Sequence, residues 1–514
     1  MKKFSLLFIA WALLMLPVCA QNIGINTDAS KPDANAILDI KSGSKGLLIP
    51  RMSTEARNRI PNTKGLLVYD NTTDNFWYNT GREWRCISHD DGHGQNGDAW
   101  LIKGNNNTKD KVNFLGTTNN VPLNIRVNNQ PSGRIDSANG TTFWGYKAGG
   151  ADSSINNTAV GFNALKSNVT GVGNAANGYQ TLFSNTSGEY NVANGFQALY
   201  SNTYGFGNVA EGYLALFSNT SGAANVASGA YTLRNNTTGS ENTGLGSYTL
   251  NRNTTGGQNT AIGTSAMELS GVGSGNVGIG FWTLYATDSG SSNTAVGSFA
   301  MLPHRSGNAN AAYGYSALYN NYTGSNNTAL GAMADVSADG LTNATAIGYG
   351  AIVDASNKVR IGNAAVTVIE GQVPFTTPSD GRYKFNVQED VKGLDFILQL
   401  RPVTYQFDVK RFDAGMRRQD AKATPVNYAI QTAYDEASRM RRSGFIAQEV
   451  EKAANATGYD FSGIIRPKTE QDHYSLSYDA FVVPLVKAIQ EQEQRIAGLE
   501  AQIEELKKLI KASR

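Results

Sequence analysis

Polar and apolar positions in the middle of the chain repeat with a period of 17 residues. Glycine holds one position of the unit in twelve successive copies, and asparagine stands four positions before eleven of these glycines. Such an unbroken period is typical of architectures in which each unit stacks on the next. The glycines are Gly161, Gly178, Gly195, Gly212, Gly229, Gly246, Gly263, Gly280, Gly297, Gly314, Gly331 and Gly348. The asparagines are Asn157, Asn174, Asn191, Asn208, Asn225, Asn242, Asn259, Asn276, Asn293, Asn310 and Asn327.

The remaining positions of the unit predict which side chains face the interior. Alanine or glycine stands two residues before eleven of the glycines, and alanine or threonine stands three residues after them, so both sites admit only small side chains. The next position forms a stripe of leucine and methionine that runs from Leu165 to Leu318. No apolar period of 3.6 residues is present, which excludes helices. The pattern therefore predicts an elongated, mainly β fold, a stacked β-roll or β-solenoid.

Two further columns predict how the units turn and hold together. A second glycine series runs from Gly171 to Gly324, and we expect a positive φ angle at these turns. The asparagine column predicts a ladder of amides that bond from rung to rung. Its alternative is that asparagine only tolerates the turn geometry before each strand.

The repeats resemble the β-roll heads of trimeric autotransporter adhesins. The shared pattern is Asn-x-Ala-x-Gly-x-x-Ala, as at Asn157 to Ala164, and the likeness covers about residues 141–365. The units of those heads are shorter than 17 residues, so the likeness predicts stacking and leaves the turn geometry open.

Charged residues become common after Val373, where three blocks follow one another in the chain. The blocks are Thr377 to Lys384, Leu400 to Tyr405 and Ser443 to Val450. In this order, and followed by a terminal helix, they resemble the self-cleaving intramolecular chaperone domain of phage tailspikes and endosialidases over about residues 374–514.

This second resemblance implies a single-turnover serine peptidase that cuts its own chain between Pro378 and Ser379. Ser379 is then the nucleophile and Lys384 its base. From the residues alone, Ser379 would be an ordinary turn or helix-cap residue and Lys384 a solvated surface charge. A lysine acts as a base only where desolvation makes it neutral, and Pro378 is a stiff residue on the acyl side.

The end of the chain has the pattern of a coiled-coil helix. Isoleucine recurs every seven residues, and a second seam of leucine is interrupted once by Gln492. These heptads ordinarily favour two strands, whereas the chaperone resemblance implies three. The first seam is Ile489, Ile496, Ile503 and Ile510, and the second is Leu485, Gln492, Leu499 and Leu506.

The first residues predict export. Lys2 and Lys3 precede an apolar run that ends in Val18-Cys19-Ala20, which is typical of a cleaved signal peptide, and lipidation of Cys19 is the alternative. No other segment is long and apolar enough to span a membrane. Only 17% of the residues are charged and the formal net charge is +2, so nucleic acid is not an expected partner.

The same features argue against other chemistry. His89 and His93 lie in a Gly-rich linker, which disfavours a metal site there, and we expect no metal or other cofactor. Mature chains cleaved at Ala20 retain only Cys86, so no intrachain disulfide forms. We expect a protein that is exported to the cell surface, periplasm or extracellular space.

These observations divide the chain into six predicted segments. They are a signal peptide (1–20), a small β-rich module (21–88), a linker with short strands (89–140), the repeat fibre (141–373), an α+β chaperone and auto-processing domain (374–480) and a coiled-coil helix (481–514).

We predict a homotrimeric, adhesin-like fibre that its C-terminal domain folds and then cleaves. One alternative is an adhesin with an uncleaved trimerisation clamp, and a second is a tailspike-like enzyme that acts on glycans. The sequence names no receptor or glycan ligand.

Overall fold

The computed structural model describes residues 22–87, 108–110, 112–150, 155–416, 428–468 and 472–513. The chain forms two compact units, Met1–Gly116 and Thr117–Arg514. The predicted signal peptide (1–20), Cys19, His89 and His93 lie outside the described residues.

The first unit is a small β structure with one short helix. Two strands pair in parallel: β1 (Ile23–Asn26) and β2 (Leu38–Lys41). A four-stranded sheet follows in the order β3 (Arg51–Met52), β4 (Leu67–Asp70), β5 (Asn75–Asn79) and β6 (Trp84–Ile87), and helix α1 (Thr54–Asn58) connects its first two strands.

A buried ion pair, rather than a large apolar core, ties α1 to this sheet. The Arg57 Nε donates to Asp70 Oδ2 at 2.9 Å, and the Arg57 guanidinium lies 3.5 Å from the Trp77 ring centroid. The neighbouring Leu47 and Leu48 lie outside the strands, and both side chains are exposed.

The second unit begins with an antiparallel cap and continues as a solenoid. The cap strands are β7 (Leu123–Val127), β8 (Gln130–Asp136) and β9 (Thr141–Trp144). From β9 onward the pairing is parallel, because every unit places one short strand beside the preceding strand. The strands of this run are β10 (Thr158–Val160), β11 (Ala175–Asn177), β12 (Val192–Asn194), β13 (Val209–Glu211), β14 (Val226–Ser228), β15 (Thr243–Leu245), β16 (Thr260–Ile262), β17 (Val277–Ile279), β18 (Thr294–Val296), β19 (Ala311–Tyr313) and β20 (Thr328–Leu330).

The solenoid ends with two more strands of the same sheet. These are β22 (Thr345–Ile347) and β24 (Val359–Ile361), which complete a sheet of sixteen strands. Two shorter strands, β21 (Asp335–Val336) and β23 (Ile352–Val353), pair in parallel beside them. The mainly β solenoid predicted from the repeat is therefore confirmed.

The interior of the solenoid follows the predicted columns. From β10 to β20 the central residue of each strand is a buried alanine or glycine that pairs with its equivalent one unit later, as Ala193 does with Ala210. The leucine and methionine stripe is fully buried from Leu165 to Leu318. Each unit alone would expose this stripe, so stacking provides its burial.

The asparagine column forms a rung-to-rung ladder, as predicted. Asn191 donates from its backbone N and from Nδ2 to Asn174 Oδ1, at 3.0 and 3.1 Å, and its Nδ2 also donates to Gly205 O at 2.9 Å. These side chains are buried and satisfied, so they stabilise the stack instead of costing desolvation energy.

The prediction for the second glycine series was wrong. Positive φ angles occur in the first series, as at Gly161 (129°), and not at Gly171 or Gly188. The second series needs glycine for another reason: a Cβ at Gly188 would lie 2.4 Å from Gly205 O and equally close to Asn185 Oδ1.

Helices and small sheets form the C-terminal part of the second unit. Its core contains Phe396, Val450, Phe461, Ile464 and Phe481, which are buried together. The helices are α2 (Leu394–Ile397), α3 (Val409–Met416), α4 (Tyr428–Arg439), α5 (Ala447–Ala456) and α6 (Val482–Ala512). Strand β25 (Val403–Gln406) pairs with β26 (Arg441–Gly444), and β27 (Ile464–Ile465) pairs with β28 (Ser475–Leu476). Two 3-10 turns are Gly381–Tyr383 and Asp479–Phe481.

Candidate functional site

A single 3-10 turn brings Ser379 and Lys384 together. Asp380 caps the turn Gly381–Tyr383 because its side chain accepts from Arg382 N at 2.9 Å. Lys384 ends the turn, and its backbone N donates to Gly381 O. The two residues that flank the turn thereby meet, and Lys384 Nζ donates to Ser379 Oγ at 2.7 Å.

Asp380 and Arg382 hold this turn from the side. The Arg382 Nε and Nη2 atoms donate to Asp380 Oδ2 at 2.9 and 2.6 Å. Hydrogen bonds from the Arg382 side chain and backbone lower the pKa of Asp380. The carboxylate therefore stays charged and engaged with arginine, and Lys384 is left to contact the serine.

The surroundings of the pair are open in one chain. Ser379 and Lys384 are both exposed. Three aromatic side chains near them in sequence are also exposed: Phe375 (88%), Tyr383 (80%) and Phe385 (91%). Several large apolar side chains exposed in one segment are typical of a surface that another molecule covers.

The Ser379–Lys384 hydrogen bond has the geometry of a nucleophile and its base. A lysine in this role must be neutral, so that its amine can accept the proton of the hydroxyl. In one chain Lys384 is exposed to water and not buried. The isolated chain therefore brings the two groups within reach but does not supply the desolvation that base catalysis requires.

A second polar cluster, which the sequence did not reveal, lies where the solenoid meets the C-terminal domain. We call Asp354, Lys358, Asp472 and His473 the junction cluster. The Lys358 Nζ lies 2.7 Å from Asp354 Oδ1 and 3.3 Å from Asp472 Oδ1, and His473 Nδ1 lies 2.9 Å from Asp354 Oδ2. Asp354 and Asp472 are more than one hundred positions apart, so no local motif could have paired them.

The junction cluster holds a carboxylate in a buried position. The Asp354 side chain is 0% exposed. Burial by itself raises its pKa, but the neighbouring His473 and Lys358 side chains outweigh burial and lower the pKa to about 2.

The Asp354, Asp472 and His473 ligand atoms lie within 4.8 Å of one another, a spacing that suits a metal ion. The Lys358 ammonium already lies beside both carboxylates, so the cluster has its own positive charge. We therefore assign the junction cluster a structural role.

Helix α6 carries the predicted heptad seams on an uncovered surface. Leu394 N donates to Glu491 Oε2 at 2.7 Å, which fixes the first half of the helix to α2. Beyond this contact Ile496, Leu499, Ile503 and Leu506 are exposed. Among the residues that the structure describes, no helix is long and apolar enough to cross a membrane.

Comparisons with known families match two regions of the chain. The family described as "Chaperone of endosialidase" matches residues 379–459. The family described as "Phage tail like trimerisation region" matches residues 24–107. A search of curated proteins found no match. The chaperone resemblance read from the sequence is thus confirmed, and the N-terminal trimerisation region is an addition to it. The match to the chaperone family begins at Ser379, the residue that Lys384 contacts.

Proposed function

We propose that the protein is an exported, trimeric, tail-fibre-like protein whose C-terminal domain assembles three chains and then cuts itself off. The 2.7 Å contact between Lys384 Nζ and Ser379 Oγ carries this proposal. Two family matches support a trimer, because a trimerisation region and an intramolecular chaperone lie on either side of the solenoid in sequence.

Exposed apolar side chains support assembly at both of these regions. Leu47 and Leu48 are exposed in the N-terminal module, and so are the α6 seams around Ile503. Large apolar side chains gain free energy when a partner covers them, at about 25 cal/mol per Å². Parallel coiled-coil packing of three α6 helices would bury the seams in heptad register.

The proposed chemistry conserves all atoms. Lys384 accepts the Ser379 hydroxyl proton, and Ser379 Oγ adds to the carbonyl carbon of Pro378. The bond between that carbon and the Ser379 nitrogen then breaks, and the nitrogen takes up a proton. The resulting ester between Pro378 and Ser379 Oγ is hydrolysed by water, which leaves a Pro378 carboxylate and a free Ser379 α-amine.

Assembly of the chains permits cleavage because it excludes water from Lys384. Phe375, Tyr383 and Phe385 add exposed apolar surface to the segment that carries Ser379 and Lys384. Partner chains that cover this surface exclude water from Lys384, which favours its neutral form. Cleavage is then confined to assembled trimers.

A denaturing gel with intact mass measurement tests this function. We expect wild-type trimers to yield residues 21–378 and 379–514. Ser379→Ala and Lys384→Ala should each leave one uncut chain while light scattering still gives a trimer. Thr376→Ala and Lys392→Ala are matched controls in the same segment and should cleave normally. Uncut wild-type trimers would leave the domain as a permanent clamp, and cleavage in Ser379→Ala trimers would overturn the assignment of the nucleophile.

A further inference from the structure

A stripe of apolar side chains runs along one corner of the solenoid. It consists of the residues immediately before and after the twelve glycines from Gly161 to Gly348, and we call it the corner stripe. Only one of these 24 positions, Glu211, is charged. Its large members include exposed aromatic residues in most parts of the stack: Phe162, Tyr179, Phe196, Tyr213, Phe281 and Tyr315.

Other columns of the solenoid are interrupted by charge or are mostly polar. The position five residues after the glycine also stacks rings, from Phe183 through Tyr200 to Phe217, but this column carries Lys166, Arg234 and Glu268 within ten units. The column that contains Tyr204 is otherwise mostly serine and threonine, as expected of a face in water. Uncharged, aromatic composition along a full row is typical of the core of a protein interface.

Ring stacking shows which kind of partner the corner stripe fits. From Tyr146 through Phe162, Tyr179 and Phe196 to Tyr213, successive ring centroids are 5.1–5.6 Å apart and the planes are within 16° of parallel. Each ring face is therefore covered by the next ring, and the outward surface consists of ring edges.

A surface of ring edges favours a protein partner over a glycan. Sugars bind aromatic side chains through open ring faces, which the stack does not offer. Edges pack well against the rings and aliphatic groups of another apolar surface. Where the column has small residues, at Ala230 and Ser247, the aromatic ring moves one position to Tyr231 and Tyr248, and these two rings stack 4.8 Å apart. The apolar stripe thus continues through these units.

We propose that the corner stripe is the face along which the solenoids of three copies of this chain pack in register around a common axis. This inference rests on the trimer of the proposed function. Chains joined at regions before and after the solenoid must also place one solenoid face toward their common axis. A threefold axis along the stacking direction brings the same unit of each chain to the same height, so each stripe residue meets its own copies.

Cysteine cross-linking in the full-length protein tests the packing. In a Cys86→Ser background, Phe196→Cys should give covalent dimers on mild oxidation, because its copies meet at one height. Tyr204→Cys is the matched control on the polar face, where the side chain is more exposed (67% against 41% for Phe196). We expect several-fold more dimer from Phe196→Cys. Phe281→Cys should behave like Phe196→Cys, and chains mixed from these two variants should form few mixed dimers, since the two positions are five units apart.

The outcomes separate this inference from the proposed function. Light scattering of each variant before oxidation gives the number of chains. A trimer in which Phe196→Cys and Phe281→Cys cross-link no better than Tyr204→Cys overturns the corner-stripe packing and leaves the trimer intact. A particle that is not a trimer overturns both. If Phe196→Cys fails to assemble, Tyr179→Cys, one unit away, takes its place in the same test.

Discussion

The solenoid and the segment around Ser379 differ in which side chains they bury and which they expose. In the solenoid, side chains as polar as Asn191 and Asn225 are buried, and each is satisfied by the neighbouring units of the same chain. In the segment around Ser379, apolar rings such as Phe385 are exposed, and Ser379 and Lys384 are open to water. The comparison teaches that the interior of the solenoid is complete within one chain, whereas one chain leaves the apolar side chains of the segment around Ser379 uncovered.

The largest loss of stability is expected when one rung of the asparagine ladder is removed from the solenoid. Asn225→Leu deprives Asn242 N of its acceptor and Gly239 O of a side-chain donor, and both groups are buried. Gly239 O keeps the Asn236 Nδ2 donor, so Asn242 N is the group left unsatisfied, at a cost of about 1–3 kcal/mol. The other ladder hydrogen bonds of Asn225 are lost as well, at about 0.5–1.5 kcal/mol each, so we expect a loss of about 4 kcal/mol per chain in denaturant unfolding. Thr238→Leu, at an exposed position outside the corner stripe, is the control and should change stability by less than about 0.5 kcal/mol. Equal losses for both would show that the ladder does not stabilise the stack.

A somewhat smaller effect is expected from overpacking the interior. Ala193 is buried at the centre of β12, so Ala193→Leu should destabilise each chain by about 1–3 kcal/mol. Val192→Leu adds one methylene group to the exposed neighbour and serves as the control. An unchanged melting temperature for Ala193→Leu would contradict the close packing of the units.

Acid should weaken the junction between the two regions. The pKa of Asp354 is about 2 in the folded chain against an ordinary value of 3.8, so its stabilisation is complete above about pH 4 and lost as pH falls toward 2. The difference corresponds to about 2 kcal/mol. The stability gap between wild type and Asp354→Asn, measured by denaturant unfolding at each pH, should therefore narrow from pH 4 to pH 2. A constant gap would argue against a charged Asp354 in the junction cluster.

A substitution in the α6 seam is expected to have the smallest effect on the stability of the fold and a large effect on assembly. Ile503 is exposed in one chain, so Ile503→Ser should alter the unfolding of the solenoid by less than about 0.5 kcal/mol. The same change removes an apolar contact at a predicted heptad core position and should reduce the trimer fraction in light scattering. Lys508→Ser lies off both seams and should leave assembly unchanged. If both variants assemble like wild type, the helices do not pair through this seam.

Regular repetition explains how much of the fold the sequence predicted. Small residues such as Ala193 and the stripe from Leu165 to Leu318 could be placed because each position is sampled many times. The φ prediction at Gly171 failed because glycine is required both for positive φ and for close backbone approach, and composition does not distinguish the two causes.

A second asparagine ladder was missed, although its column is visible in the sequence. Asn185 Nδ2 donates to Asn168 Oδ1 at 2.8 Å, and the same bond recurs up to Asn253. Later units place Ser270, Thr287 and His304 in this column, which weakens the pattern. His304 takes over part of the role, because its Nε2 lies 2.8 Å from Gly307 O.

The candidate site was predictable only in part. The spacing of Ser379 and Lys384 is local, and a single turn between them is enough to bring them together. The junction cluster joins distant parts of the chain, so its members could not be found without coordinates. The proposed exclusion of water from Lys384 involves partner chains, whose packing no pattern within one chain specifies.

Because each rung pairs with the next in the same way, the length of the solenoid can change in evolution by whole 17-residue units. A gene that loses or duplicates one 17-residue unit by slippage joins equivalent residues again, since Asn, Ala and Gly recur at the same positions. The product is shorter or longer by about 4.8 Å, and both ends keep their own sequences. Selection can therefore adjust the distance that the fibre spans without redesigning what lies at either end.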